Sequence, residues 1–332
     1  MTLWEHYHLP RSVDEALSSL AAYDGRACVV AGGTDLLLEL QQGRKPPVAA
    51  LVDVTRVSEM TQIAETDGYI YVGAAVTHTH IVASPLLAAR ATCLVESCGV
   101  IGGPQVRNVG TLGGNVAHAL PAGDGTISLV ALEAEAEIAV SGQRSAVSRE
   151  WRPVLSLFKG PGKSALDRSR ELIVRFRLKG AGYGEASAFK RMMRPQGVAL
   201  PIMGMAVWLK VEHAERSKEH PALGAAEGPA LSAAEGLKGV IVADVRIALG
   251  PAGPTPMRAT KAETYLSGIP LVDDVLPQLA DLVLQDAQLR TSPHRATADY
   301  RAELIPVLLA RALKLAHRRA ATGEAVPEGL GM

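Results

Sequence analysis

The first 50 residues combine helically spaced apolar side chains with short continuous apolar runs. Ser12 precedes Val13–Leu20, where apolar residues recur at helical spacing, so this segment predicts a helix with a serine cap. Ala27–Val30 and Ala49–Val54 are short apolar runs typical of buried strands. A second helical stretch lies between them and ends at Gly43. The pattern predicts a strand, a glycine turn, a helix and a further strand in succession.

Polar and apolar residues alternate from Ile63 onward, and Asp67-Gly68 divides the alternating segment, which predicts an antiparallel hairpin. Helices are predicted at Thr79–Ala83 and Leu86–Cys98. The run 102–115 is too rich in glycine for regular structure and too apolar for a linker, so we expect an irregular segment. The remaining elements predicted in this half are a helix at Thr126–Leu132 and strands at Ala136–Val140 and Arg170–Arg177.

The composition changes near Lys179–Gly184, which marks a predicted domain boundary. Beyond it the pattern predicts antiparallel strands at Ser187–Arg191, Ile202–Val211 and Gly239–Leu249 and helices at Ala259–Leu266, Leu276–Leu289 and Tyr300–Ala321. We therefore expect an α+β second domain in which helices cover a small sheet. His213–Lys238 is rich in Ala, Gly, Glu and Ser and predicts a long hairpin insertion.

The composition excludes several classes of protein. A length of 332 residues suggests two domains at roughly 150 residues each. The 34 basic and 34 acidic residues cancel, so we expect neither nucleic acid nor an anionic membrane as the main partner. Three cysteines argue against a disulfide framework or a four-cysteine cluster, so any redox metal is expected on another chain. We expect no membrane span, no signal peptide and a cytoplasmic location.

The first glycine turn, Ala31-Gly32-Gly33-Thr34-Asp35, lies between a predicted strand and a predicted helix. Its two glycines would let the backbone N–H groups come close to a bound anion. The spacing matches neither the dinucleotide-binding fingerprint nor a P-loop. Two interpretations therefore stay open, a phosphate-binding turn and an ordinary strand-to-helix turn.

The second glycine turn, Thr111-Leu112-Gly113-Gly114-Asn115, is followed closely by Asp124. Two such turns in one domain suit a ligand with two phosphates and a ribose, because N–H, hydroxyl and amide groups bind pyrophosphate oxygens. The carboxylate could accept hydrogen bonds from sugar hydroxyls. Alternatively, Asp124 caps the helix near Thr126, and Arg107 simply satisfies carbonyls of the glycine-rich loop.

Five segments in the same order resemble the signatures of the FAD-binding medium subunit of the molybdenum hydroxylases, a family that includes carbon monoxide and xanthine dehydrogenases. They are Ala31–Leu37, Gln105–Asn115 with Pro121–Asp124, Phe189–Arg191, Pro254–Ala259 and Ser292–Arg301. The resemblance covers nearly the whole chain. It implies an α+β protein with a PCMH/VAO-type two-subdomain FAD-binding domain, followed by a C-terminal α+β domain with a small antiparallel sheet and helices.

The implied FAD-binding domain spans residues 1–180, with subdomains at about 1–55 and 56–180. The C-terminal domain spans 181–325, carries the insertion at about 213–238 and is followed by a tail at 326–332. The implied cofactor-binding residues are Val30, Ala31, Gly32, Gly33, Thr34, Asp35, Thr77, Arg107, Thr111, Gly114, Asn115, Asp124, Leu172 and Lys190. No catalytic residue and no metal ligand is expected on this chain.

Lys190 would approach the isoalloxazine ring, where positive charge favours the anionic reduced flavin. Without the resemblance, a solvated strand lysine is the favoured interpretation of Lys190. The stretch Arg194–Ala199 departs from the family pattern, which commonly has an acidic or aromatic residue beside the flavin. The three cysteines are expected to be small buried hydrophobic residues rather than cluster ligands.

The resemblance implies an oxidoreductase complex of three kinds of subunit, assembled as a dimer of heterotrimers. A large subunit with a molybdenum-pterin cofactor would act on the substrate, and a small subunit would carry two [2Fe-2S] clusters. This chain would pass electrons through FAD to an external acceptor. The alternatives are a stand-alone flavoprotein oxidase or reductase of the same fold and a nucleotide-binding scaffold without redox activity. Neither a candidate site for covalent flavin nor an acid/base pair supports the stand-alone enzyme.

Overall fold

The computed structural model describes residues 2–142, 147–194, 200–213 and 240–329. The insertion predicted at 213–238 lies outside these residues, except for the backbone of His213. The described residues form mixed helices and sheets, which confirms the predicted α+β class.

The N-terminal segment forms a three-stranded parallel sheet in the order β1-β3-β2. Its elements are β1 (Trp4–His8), α1 (Val13–Ala21), β2 (Ala27–Val30), α2 (Leu36–Gln41) and β3 (Val48–Asp53). Ser12 caps α1 by accepting a hydrogen bond from Glu15 N, as predicted. The sequence pattern missed β1 because its three central residues are exposed, so the strand carries no buried apolar alternation.

The next sheet has five antiparallel strands in the order β4-β5-β10-β6-β7. Its strands are β4 (Ile63–Thr66), β5 (Tyr69–Gly73), β6 (Glu135–Ser141), β7 (Val147–Pro153) and β10 (Glu171–Lys179), and a small ribbon of β8 (Phe158–Gly160) and β9 (Lys163–Ser164) precedes β10. Asp67 and Gly68 have φ values of 52° and 76°, the signature of a two-residue hairpin turn, so the predicted hairpin is confirmed.

Six short helices pack around these sheets. They are α3 (His78–Val82), α4 (Pro85–Arg90), α5 (Thr92–Gly99), α6 (Pro104–Val109), α7 (Leu112–Ala117) and α8 (Asp124–Ala131). The single helix predicted at 86–98 is wrong, because Ala91 has φ −145° and ψ 47° and separates α4 from α5. The irregular segment predicted at 102–115 is also wrong. Its glycines serve close packing instead: a Cβ on Gly113 would lie 2.6 Å from the carbonyl oxygen of Ala74.

The C-terminal part is a four-stranded antiparallel sheet in the order β11-β12-β13-β14 with three helices. The elements are β11 (Glu185–Met193), β12 (Pro201–His213), β13 (Val240–Gly250), β14 (Met257–Arg258), α9 (Thr260–Leu266), α10 (Leu276–Asp286) and α11 (Ala298–Thr322). All three predicted helices are present, although α10 ends before the predicted Leu289.

The C-terminal sheet contributes to two hydrophobic cores through the alternation of its side chains. Phe189, Ala206 and Ala248 face the core of the N-terminal part. Ala188 and Val207, their neighbours in sequence, face the second core together with α11. Successive residues of a strand point to opposite faces, so one sheet is buried on both sides. Across the ranges that the structure describes, no helix is long and apolar enough to cross a membrane.

Candidate functional site

A cavity of about 490 Å³ lies between the two glycine turns, the start of α8 and one edge of the C-terminal sheet. This volume is within the usual range for sites that bind small molecules and cofactors. Of the residues predicted to bind the cofactor, eleven line it: Val30, Ala31, Gly32, Gly33, Thr34, Asp35, Thr111, Gly114, Asn115, Asp124 and Leu172. The fold therefore brings together two motifs that are about 80 residues apart in the sequence.

The two glycine turns lie directly against each other. A Cβ on Gly32 would lie 2.2 Å from the carbonyl oxygen of Val109 and 2.8 Å from Cα of Gly110. Only glycine can occupy position 32 without moving one of these backbones. Gly33 has φ +67°, a left-handed conformation that other residues adopt rarely. Both glycines of the first turn are therefore required by the local geometry.

The first turn presents a series of free N–H groups. Leu37 N and Glu39 N donate to Gly33 O and Asp35 O, which starts α2. Within the described ranges the N–H groups of residues 32–36 have no acceptor. Consecutive free N–H groups in a turn form a binding site for anions such as phosphate.

The second turn is tied to its surroundings by its own side chains. Thr111 Oγ1 accepts a hydrogen bond from Gly114 N at 3.1 Å and so caps α7. Asn115 Oδ1 accepts from both the N–H and the hydroxyl of Thr126, each at 3.0 Å. The interpretation of Asp124 as the cap of α8 is therefore wrong, because Asn115 satisfies that helix start and Asp124 makes no capping bond.

Asp124 instead pairs with an arginine of the C-terminal sheet. Its Oδ2 lies 2.6 Å from Arg191 Nη1, and both side chains are buried, at 4% and 6% exposure. Burial raises the pKa of Asp124 to about 6, although the charges of Arg191 and Arg295 act in the opposite direction. Among the residues described, neither Asp124 Oδ1 nor Arg191 Nε has a hydrogen-bond partner. The pair therefore retains one unsatisfied acceptor and one unsatisfied donor beside the cavity.

The other three predicted residues lie away from the cavity lining. Thr77 caps α3 by accepting from His80 N, and Arg107 Nη1 donates to Gly102 O at 3.0 Å. This contact agrees with the interpretation that Arg107 donates hydrogen bonds to carbonyl groups of the glycine-rich loop. Lys190 Nζ lies 2.9 Å from Glu328 Oε2, and Lys190 does not line the cavity. Lys190 and Arg191 are neighbours on β11 and therefore point to opposite faces.

The predicted binding residues omit several residues that line the cavity, including His78, Arg191 and Arg295. His78 is 2% exposed, and its backbone N–H donates to Gly110 O at 3.0 Å, directly beside the second turn. Burial, and to a lesser extent the charge of Arg107, lowers the pKa of His78 to about 4. The alternation along β11 could have shown that only one of two adjacent basic residues faces the cavity.

The residues present fit FAD. The free N–H groups of the first turn suit the two phosphates, and the unpartnered Asp124 Oδ1 suits a sugar or ribityl hydroxyl. Cys93 and Cys98 are fully buried and do not line the cavity, and burial raises the pKa of Cys93 to about 12. Such thiols are unreactive and pack as small apolar side chains.

Comparison with known proteins identifies the class first. Residues 3–178 match the family described as FAD binding domain in molybdopterin dehydrogenase, and residues 187–316 match the CO dehydrogenase flavoprotein C-terminal domain. The fold is thus that of an FAD-binding oxidoreductase subunit. More particularly, the chain belongs to the family of FAD-binding medium subunits of the molybdenum hydroxylases.

Individual relatives agree over almost the full length. The carbon monoxide dehydrogenase medium chain of Hydrogenophaga pseudoflava is 27% identical over 95% of this chain and 98% of its own. The nicotinate dehydrogenase FAD-subunit of Eubacterium barkeri is 27% identical over 86% of this chain and 88% of its own. A solved structure of the H. pseudoflava carbon monoxide dehydrogenase, lacking the Mo-pyranopterin moiety of the molybdenum cofactor, superimposes with a TM-score of 0.80 at 26% identity. The superposition covers 96% of this chain and 99% of the matching chain in that structure.

Proposed function

We propose that this chain is the FAD-binding electron-transfer subunit of a heterotrimeric molybdenum hydroxylase. It would accept electrons from two [2Fe-2S] clusters of a small subunit and deliver them to an external acceptor. The observation that carries this proposal is the cavity, which joins the free N–H groups of the first glycine turn to the buried Asp124 and Arg191 pair.

The chain's own residues would hold FAD in three ways. The N–H groups of residues 32–36 would bind the pyrophosphate, and Asp124 Oδ1 would accept a hydrogen bond from a sugar or ribityl hydroxyl. Leu172, which is 4% exposed and lines the cavity, would supply apolar contact. Thr77 and Arg107 would act indirectly, by fixing the backbone beside the second turn. When bound, FAD supplies both one-electron and two-electron chemistry.

Substrate hydroxylation would belong to a large subunit that carries the molybdenum-pterin cofactor, and the complex would be a cytoplasmic dimer of heterotrimers. Relatives named as the medium chain of carbon monoxide dehydrogenase and as the FAD-subunit of nicotinate dehydrogenase support this division of labour. The organic substrate would then depend on the large subunit.

Purification of the native assembly tests the proposal. We expect two other chains to co-purify with this one, together with FAD, iron and molybdenum. When the chain is isolated from its partners, it should keep flavin absorbance but lose substrate oxidation. Full turnover of a small substrate by the isolated chain would contradict the proposal and would favour the stand-alone flavoenzyme.

A further inference from the structure

Two adjacent basic residues of β11 have separate surroundings. Lys190 faces α11 and the end of the chain, where its Nζ pairs with Glu328 Oε2, and Glu328 also pairs with Arg318. The hydrogen bond from Lys190 is the main cause of the lowered pKa of Glu328. Arg191 faces the N-terminal part and lines the cavity. Of these two residues, Arg191 is the one placed to contact the cofactor.

The neighbouring strand, β12, leaves space for the Arg191 side chain. Gly204 lies opposite Arg191 in the strand register of β11 and β12. A Cβ on Gly204 would lie 3.3 Å from Asp124 Oδ1 and 3.0 Å from the ring of Phe189. A larger residue at position 204 would therefore crowd the carboxylate of Asp124. The glycine leaves room for Asp124 and Arg191 beside the cavity.

The charges around Asp124 do not cancel. Arg191 pairs directly with the carboxylate, and Arg295, which also lines the cavity, acts on it through its charge. Two cations and one carboxylate leave an excess of one positive charge when Asp124 is ionised. Arg191 Nε is buried and has no partner within the described ranges. The part of the cavity beside Asp124 can therefore offer a positive charge to an anionic group.

We propose that Arg191, rather than Lys190, supplies the positive charge that stabilises the reduced flavin in this protein, and that Asp124 holds Arg191 in position. The inference rests on the proposed function and takes a ribityl hydroxyl, not a hydroxyl of the adenosine ribose, as the partner of Asp124. The ribityl chain is attached directly to the flavin ring, so the partner of Asp124 is placed toward the ring. A positive charge there favours the anionic reduced form.

The test compares Arg191→Met with Lys190→Met in the complete protein with its partners. Dissociation constants for oxidised FAD and two-electron midpoint potentials of the bound flavin are measured for each variant. Arg191→Met should weaken binding of reduced FAD about tenfold more than binding of oxidised FAD, which lowers the potential by about 30 mV. Lys190→Met should leave the dissociation constant for oxidised FAD within about twofold of the wild type and the potential within about 10 mV, because its side chain faces away from the cavity.

Two further variants separate charge from folding. Arg191→Lys keeps the charge and should restore most of the potential. The double variant Asp124→Asn/Arg191→Gln removes both charges of the buried pair and should still show a lowered potential while keeping its thermal unfolding midpoint. Thermal unfolding of each variant reports whether the protein is folded when the flavin is measured.

The outcomes distinguish this inference from the proposed function. A lowered potential in Lys190→Met with an unchanged potential in Arg191→Met overturns the inference. Equal weakening of oxidised and reduced FAD in Arg191→Met also overturns it, because the charge would then act on the phosphates. A wild-type chain that binds no FAD contradicts the proposed function itself.

Discussion

Glu96 and Arg319 form a buried ion pair between α5 and the last helix, α11. Oε1 of Glu96 lies 2.6 Å from Nη2 of Arg319, and their side chains are 1% and 2% exposed. Oε2 of Glu96 also accepts from Phe189 N at 2.7 Å, and Nη1 of Arg319 donates to Ser187 O at 2.8 Å. The pair therefore joins the N-terminal part, β11 and the C-terminal helix at one point.

Breaking this pair should destabilise the protein strongly. Glu96→Ala leaves the Arg319 charge buried without its carboxylate, so we expect a loss of about 3–5 kcal/mol in the free energy of unfolding. Lys314→Ala on the same helix removes an exposed ion pair with Asp273 and should cost less than about 1 kcal/mol. Denaturant unfolding of both variants checks the difference. Equal losses would show that the buried pair has no special role.

The contact between the two glycine turns gives a second prediction. Gly32→Ala places a Cβ against the backbone of Val109 and Gly110, so the turns must separate. Overpacking of this kind costs about 1–3 kcal/mol, and the displaced N–H groups should also bind FAD less well. We expect lower flavin content together with a lower unfolding midpoint. If Gly32→Ala has the flavin content and the unfolding midpoint of the wild type, the two glycine turns are not in contact.

Gly114 lines the cavity but has more space than Gly32. A Cβ there would meet only the hydroxyl of Thr111, at 3.1 Å. Gly114→Val should therefore lower the flavin content by filling the cavity wall, while the protein still folds. Gly182→Val, at an exposed position with 3.6 Å to its nearest neighbour, is the matched control and should keep its flavin. Flavin content and circular dichroism are measured together, and normal flavin in Gly114→Val would contradict the placement of the second turn.

The buried His78 predicts a pH dependence of stability. Its pKa is lowered by burial from 6.5 to about 4, so the unfolded chain binds a proton between these pH values that the folded chain does not bind. The stability from neutral His78 is therefore present above about pH 6.5 and is lost as the pH falls. Between pH 7 and 4.5 the wild type should lose about 2–3 kcal/mol more than His78→Gln. Parallel stability curves of the two proteins would show that His78 is not buried in neutral form.

The sequence predicted the glycine turns, the hairpin and the α+β class because these features depend on local residue types and spacing. It missed β1 and β7, whose residues are largely exposed and give no apolar alternation. The helices at 104–117 were hidden by a high density of glycines, one of which, Gly113, packs closely against Ala74. The hydrophobic pattern therefore predicts helices and strands best where one face of the element is buried and the other is exposed.

The site was predicted less completely than the fold. The pattern shows that Lys190 and Arg191 point to opposite faces of a strand, but it does not show which face meets the cavity. That choice depends on how β11 packs against α5, which belongs to another part of the chain. The pairing of Glu96 with Arg319 spans 223 residues and leaves no local signal.

The central claim is that FAD is held in the cavity of this chain while the metals of the complex lie on its partners. The most direct measurement separates the subunits of the native complex and determines FAD, iron and molybdenum on each. We predict equimolar FAD on this chain, with iron and molybdenum only on the other two. A purified chain that lacks FAD while the intact complex retains it, or one that carries iron or molybdenum, would contradict the account.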